Sequence, residues 1–282
     1  MMVGGRGLGA RAVRLYLPLG FFLVAMLFPF YWMAITSIKP NRELYNAKIM
    51  PLIVHQPILK HYVDLLDQTN FLTWTYNTML VAVVTTVISL VIGTMMAYPL
   101  ARLNFPGAAV VAIGVAATYL VPQPLLFIPM SDIINTLDLG NTLTAVMLTY
   151  PTLLIPFCAW LLMGYFKSVP RELEEAARID GASRFQAMMR VILPLCTPGL
   201  LSAGIFAFTL AQNEFLYALI FLTTSEVRTV PVGAITELIR GDVFYWGQLM
   251  AAALLGSIPV ALIYSFFVDH YVAGLTAGAV KN

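Results

Sequence analysis

Charged residues punctuate the chain rarely, and long apolar stretches lie between them. A transmembrane helix needs about 20 mostly apolar residues to cross a hydrocarbon core about 30 Å thick. Six stretches reach that length, at 15–38, 68–101, 103–131, 139–166, 191–213 and 243–268, the fifth extendable past Glu214 to 224. Lipid offers no partner to a backbone N–H or C=O, so each stretch is expected to be a helix. The predicted fold is all-α and polytopic. A leader over 1–14 precedes one membrane domain over 15–282, with spans at about 15–38, 74–100, 107–130, 141–165, 198–222 and 246–270.

Composition agrees with this pattern. Of 282 residues, 60% are apolar and 11% are charged, too little charge to cover a soluble globule of this size. A net charge of +2 without a clustered basic run argues against nucleic acid as a partner, because phosphate neutralisation needs grouped Lys and Arg. With six spans both termini share one side. That side holds Arg6, Arg11, Arg14, Arg102, Lys167, Arg171, Arg178, Arg184, Arg190 and Lys281, while the other has Lys39, Arg42, Lys48, Lys60, Arg228 and Arg240. The positive-inside bias therefore places both termini in the cytoplasm.

The basic residues up to Arg14 are not expected to begin a cleaved signal. The apolar stretch after them has 24 residues and ends at Lys39-Pro40 without a small-residue cleavage site. Gly5-Arg6-Gly7-Leu8-Gly9-Ala10 matches a dinucleotide fingerprint loosely but follows no strand, so it reads as a leader. Cys158 and Cys196 lie in separate spans and read as packing residues. His55, His61 and His270 form no set at metal-ligand spacing, and solvated surface positions are expected for them.

The long charged loop at 167–194 predicts two short helices joined by a glycine turn. Ser168 is a candidate N-cap, Pro170 stands near the first helical position, and Glu172, Glu174 and Glu175 favour the positive end of the helix dipole. Gly181 can take the positive φ that ends the helix, and Ser183 can cap a second one running to Arg190, with Pro194 and Pro198 beyond it. Leu173, Ala176, Ala177 and Asp180 fall at helical spacing, a flat small-sided stripe suited to docking. An interfacial helix on lipid headgroups is the competing reading, but such helices carry bulky apolar side chains rather than alanine.

Glu175-Ala176-Ala177, three residues, Gly181, nine residues and Val191-Ile192-Leu193-Pro194 resemble the EAA loop of ATP-binding cassette (ABC) importer permeases, with Val191 for the usual Ile. Tyr98-Pro99-Leu100-Ala101-Arg102-Leu103-Asn104-Phe105-Pro106-Gly107 and the end Gly274-Leu275-Thr276-Ala277-Gly278-Ala279-Val280-Lys281 resemble the carbohydrate, maltose-type branch. Asn282 departs from the Gly that often ends relatives, and Gln212 stands where many have Trp. The resemblance implies a type I importer permease fold in a bacterial or archaeal cytoplasmic membrane. It implies a transport subunit rather than an enzyme, with no catalytic residue and no metal, partnered by a second permease subunit in a heterodimer, an ATPase dimer carrying ATP and Mg, and an extracytoplasmic solute-binding protein. Glu172, Glu175, Ala176, Ala177, Asp180, Gly181, Leu193 and Pro194 would form the ATPase-coupling loop, and Gly274, Thr276, Gly278 and Lys281 a tail reaching the ATPase. No Gly-x-x-x-x-Gly-Lys-Ser/Thr occurs, so the nucleotide site of that motif must lie on another chain.

Polar groups within the spans mark a candidate solute path. Glu214 would cost about 2.5–3.5 kcal/mol if exposed at mid-membrane, and counting from Pro198 places it about 24 Å along its span. Asn77, Gln123, Gln212 and Asn213 fall at a similar depth, and Tyr119, Tyr150 and Tyr217 are possible aromatic platforms for a sugar, polyol or glycoside. Polar residues at span ends also simply meet headgroup water. Pro122, Pro124, Pro151, Pro156 and Pro259 remove backbone donors and predict kinks. Two alternatives are weaker. An autonomous carrier or channel usually places coupling charges at mid-membrane, where only Glu214 stands. An intramembrane serine protease using Ser183 and His270 would have its serine in a charged loop rather than in a span.

Overall fold

The computed structural model describes residues 12–279 apart from 47 and 49, with side chains over 13–267; most of the leader, Lys281 and Asn282 lie outside the described residues. Among them four helices are long and apolar enough to cross a membrane: α1 (Val13–Ile38), α4 (Phe71–Arg102), α7 (Leu143–Ser168) and the Trp246–Phe267 part of α13 (Trp246–Ala279). Short helices α2 (Asn41–Leu44) and α3 (Lys60–Gln68) lie between α1 and α4.

The third and fifth apolar stretches are not continuous helices: the third bends at Pro122 and Pro124, as those prolines predict, and the fifth breaks where one helix was expected. α5 (Ala108–Thr118) and α6 (Gln123–Thr136) meet at 96°. Pro122 is the extended N-cap of α6 and Pro124 stands in its first turn, so neither carries on an i to i−4 ladder. Eleven residues of α5 rise only about 16 Å, half a hydrocarbon core. α9 (Arg184–Leu195) and α10 (Thr197–Gln212) meet at 78°; helix passes through Pro194, and the break falls at Cys196 rather than at the prolines. The chain breaks again at Asn213–Phe215 before α11 (Leu216–Phe221), so 198–222 is two helices. α12 (Val230–Leu238) leads to a two-stranded hairpin, β1 (Ile239–Arg240) and β2 (Val243–Phe244), turned through Gly241 at φ +58°.

Residues 12–71 and 234–257 form one compact unit. Its polar framework stands at the end of α1. Glu43 accepts backbone N–H groups from His55 at 3.2 Å and Gln56 at 3.1 Å, Lys39 donates its Nζ to the Pro51 carbonyl, and Ser37 bonds Tyr62 at 2.8 Å. His61 is not a solvated surface residue. It is buried, its Nε2 bonds the Lys39 carbonyl at 2.7 Å, and its ring fills the space that a Cβ at Gly247 would need. The body of α1 leaves Phe21, Val24 and Met26 exposed, as a helix solvated by lipid does.

Residues 72–233 and 258–279 form the second unit, built on α4, α7 and α10. Val81, Tyr150, Cys158, Phe208 and Tyr217 share one buried cluster; Tyr98, Leu162, Phe166, Ile192 and Cys196 share another. Helices in lipid gain by close approach rather than by hydrophobic burial, so small residues stand at their contacts. Gly93 is such a point: a Cβ there would stand 2.7 Å from Cys158 Cβ and 3.2 Å from the Ala159 nitrogen. Both cysteines are free and buried, in the packing role expected of them.

Gly93→Leu is expected to cost about 1–3 kcal/mol by overpacking α4 against α7, whereas Gly20→Leu, with open space around it inside α1, does not lower stability. Thermal unfolding of the two variants in the same detergent checks this, and equal midpoints would contradict the close contact.

Candidate coupling loop and membrane cavity

The loop after α7 carries α8 (Arg171–Ile179). Its N-cap is Pro170 rather than Ser168, which still belongs to α7 and turns its hydroxyl back to the Tyr165 carbonyl at 2.7 Å. The other end is as expected. Gly181 takes φ +92°, the Gly181 N–H reaches the Arg178 carbonyl at 3.1 Å and the Ala182 N–H the Ala177 carbonyl at 3.0 Å, the paired bonds of a Schellman close. Ser183 then opens α9 through a capping box: its hydroxyl accepts the Gln186 N–H at 3.2 Å while Gln186 Oε1 accepts the Ser183 N–H at 2.9 Å.

Glu174 anchors this loop. It takes the Tyr98 hydroxyl on Oε1 at 2.5 Å, and Arg102 Nε stands 3.8 Å from Oε2. Arg102 also donates to the Val169 carbonyl at 2.7 Å, and the Tyr98 oxygen lies 3.4 Å from the Arg184 carbonyl. Two residues of α4 thus grip both ends of the turn from α7 through α8 to α9. Sequence reasoning saw Glu174 only as a dipole-favoured residue; the signal for its anchoring role was the spacing of Tyr98 and Arg102, four apart on one helical face.

With its back held, α8 shows its other side to solvent. No residue of the helix is buried; Glu172, Glu175, Ala176 and Asp180 are exposed, Ala177 is half-buried, and Ile179 is 86% exposed. Ile179 was not singled out in the sequence. Leu193 is half-buried and Pro194 exposed on α9. Gly274, Thr276 and Gly278 lie on the helical backbone of α13, their side chains outside the described residues, as is Lys281.

The candidate path residues divide. A cavity of 690 Å³ is lined by Gln123, Tyr150, Asn213 and Glu214, with Tyr119 and Thr209 beside them. Asn77, Gln212 and Tyr217 are outside its lining. Asn77 is buried and gives its amide to the Glu226 and Arg228 carbonyls at 2.9 and 3.0 Å, strapping the 225–229 turn to α4. Tyr217 is buried and stacks on Phe221, ring centroids 6.1 Å apart. Glu214 serves the fold as well as the cavity. Its Oε1 accepts the Tyr217 N–H at 2.9 Å and its Oε2 the Ala218 N–H at 3.1 Å, so the carboxylate caps the first turn of α11.

Apolar helices long enough to span, bent helix pairs and a capped two-helix loop define a polytopic helical membrane protein. Residues 89–276 match the family model for the binding-protein-dependent transport system inner membrane component. The chain is 38% identical over 261 residues to the sulfoquinovosyl glycerol transport system permease protein SmoH of Agrobacterium fabrum, covering 92% of this chain and 90% of that one. It is 36% identical over 274 residues to the trehalose/maltose transport system permease protein MalG of Thermococcus litoralis, covering 95% and 97%. A crystal structure of a bacterial ABC transporter that imports the acidic polysaccharide alginate superposes with a TM-score of 0.77 at 21% identity, over 96% of this chain and 100% of that one. The chain belongs to the binding-protein-dependent transport system inner membrane component family. It is the permease subunit of an ABC importer, a multi-pass inner-membrane protein whose ATPase is a separate subunit, and the autonomous carrier and protease readings fall away.

Tyr98→Phe keeps the buried ring but removes the hydroxyl from Glu174, a hydrogen bond to a charged group worth about 1.5–3 kcal/mol. Amide exchange over 171–180 is expected to quicken while exchange in α7 stays slow; unchanged exchange in the loop would show that Tyr98 does not hold it. Glu214→Gln sets an amide NH2 against a backbone N–H at the start of α11 and is expected to cost about 1–3 kcal/mol, read as a lower thermal midpoint.

Proposed function

We propose that this permease imports a sugar or a related polyol or glycoside by alternating access, with both termini in the cytoplasm and α8 docked in a cleft of the ATPase subunit. The exposed face of α8, held from behind by Glu174, is the observation that carries the coupling role. A docking element must transmit displacement, and one that is pinned to α4 moves the spans when it moves. Glu175 would pair with a basic residue of the ATPase, Ile179 would fill an apolar recess, and the end of α13 would reach between the ATPase subunits. ATP and Mg belong to those subunits. A second permease subunit completes the pathway as a heterodimer, covering apolar surface of α5 and α6 such as Val110 and Ile128, both exposed. A solute-binding protein delivers the solute to the outer face.

The carbohydrate assignment rests on the relatives named for glycoside and disaccharide transport and on the cavity at Glu214. Its lining offers an amide from Gln123 and from Asn213, the Thr209 hydroxyl and the Tyr119 ring, groups that hydrogen-bond and stack on polyhydroxylated solutes.

Purification through a tag on this chain, from its native membrane in mild detergent, tests both parts. An ATPase subunit and a second permease should come with it, and ATP hydrolysis should rise with a sugar-loaded binding protein. Glu175→Lys and Ile179→Asp should each leave the protein inserted and lower uptake about tenfold or more, as expected from loss of an interfacial anchor. Normal uptake at normal expression would remove α8 from the coupling role.

A further inference from the structure

A second cavity, of 220 Å³, opens where the end of α4 meets α8 and the start of α9, and it is lined by Arg102, Arg171, Arg178 and Arg184 together with Glu174 and Glu175. Four guanidinium groups face two carboxylates, an excess of two positive charges around a space several times the volume of a water molecule. One carboxylate, Glu174, is already engaged by Tyr98. Arg102 forms the floor, its side chain only 2% exposed. It donates to the Val169 carbonyl, and its Nε, closed off from the cavity, stands 3.8 Å from Glu174 Oε2. A buried guanidinium with three more beside it and too few carboxylates to balance them is costly, and an anion set among them lowers that cost. The other three arginines are exposed on the rim, long enough to close over a ligand.

We propose that this cavity binds a phosphate group. The planar fork of arginine matches phosphate oxygens two at a time, which a lysine cluster would not do. The group has two chemical sources. Arg102 is the charged residue that ends the apolar α4, so the cavity stands at the depth of a phospholipid headgroup, and basic pockets at span ends hold anionic lipids. A free phosphate ester in the aqueous phase would meet the same four arginines from the rim. Either ligand would bridge α4 to α8 and α9 alongside Glu174. The site does not involve the transported solute, and it shares Glu175 with the proposed ATPase contact.

The test uses the full chain in nanodiscs of phosphatidylcholine. Retention of added phosphatidylglycerol is read by native mass spectrometry, and inorganic phosphate is titrated by calorimetry against chloride. The wild type is expected to hold one of the two probes. The double variant Arg178→Gln with Arg184→Gln should weaken that binding by about tenfold or more, the loss of a charge-assisted hydrogen bond. Arg190→Gln, an exposed basic residue of α9 outside the cavity lining, should leave it unchanged. Retention of phosphatidylglycerol with no phosphate heat assigns the site to lipid; phosphate heat without lipid retention assigns it to a soluble ester. Binding of neither probe, equal binding by the double variant, or equal weakening by Arg190→Gln overturns the proposal. The rim arginines are chosen because Arg102 also holds the α7–α8 turn through Val169.

Discussion

The carboxylate of Glu174, held between the Tyr98 hydroxyl and the Arg102 guanidinium, is the contact that ties the 171–180 helix to the apolar helix α4. It is a link between different kinds of structure. Tyr98 and Arg102 end a long apolar helix whose place is fixed by packing, while Glu174 belongs to a nine-residue helix with nothing buried. A helix so short has little stability of its own, since nucleation consumes most of what its hydrogen bonds return. Its Schellman close and the capping box that follows fix the ends, and the side chains reaching it from α4 tie it to the spans.

Rigidity on one side and exposure on the other are complementary properties. The same helix that gives Glu174 to the interior leaves Glu175, Ala176 and Ile179 outside, a division set by the 100° step between neighbouring positions on an α-helix. In the second unit, close packing supplies the stiffness that makes the link useful. Gly93 against Cys158, and Gly199 against the Tyr165 ring, bring α4 and α10 to α7 at separations that a side chain would prevent. A displacement at the loop then enters packed helices, which yield little between their allowed arrangements.

Much of this was legible in the sequence, for identifiable reasons. Apolar length fixed where helices occur, because lipid leaves the backbone no alternative, and the Gly181 and Ser183 signals acted locally, within one turn of the residues that carry them. What was missed depended on distant partners or on local breaks. His61 looks like an outer-loop histidine until Gly247 packs against its ring. Asn77 resembles a span-lining amide, but the 225–229 turn lies some 150 positions away in the chain and takes both its donors. The fifth apolar stretch reads as one helix when it is extended past Glu214, because Asn213, Glu214 and Phe215 include no Pro or Gly to mark a break.

That last break explains why an acidic residue is tolerated there at all. A carboxylate within a continuous helix would find no free backbone donor, since every N–H is committed four residues back. Ending α10 at Gln212 and restarting at Leu216 liberates the N–H groups of Tyr217 and Ala218, and Glu214 takes both. The interruption and the charge therefore require each other: the break needs a cap, and the charge needs donors. The capped carboxylate also lines the larger cavity beside Asn213, so its position there is set by backbone geometry and not by a flexible side chain. A polar group fixed in this way can present its remaining lone pairs to a solute without first having to be ordered, which lowers the entropic cost of binding.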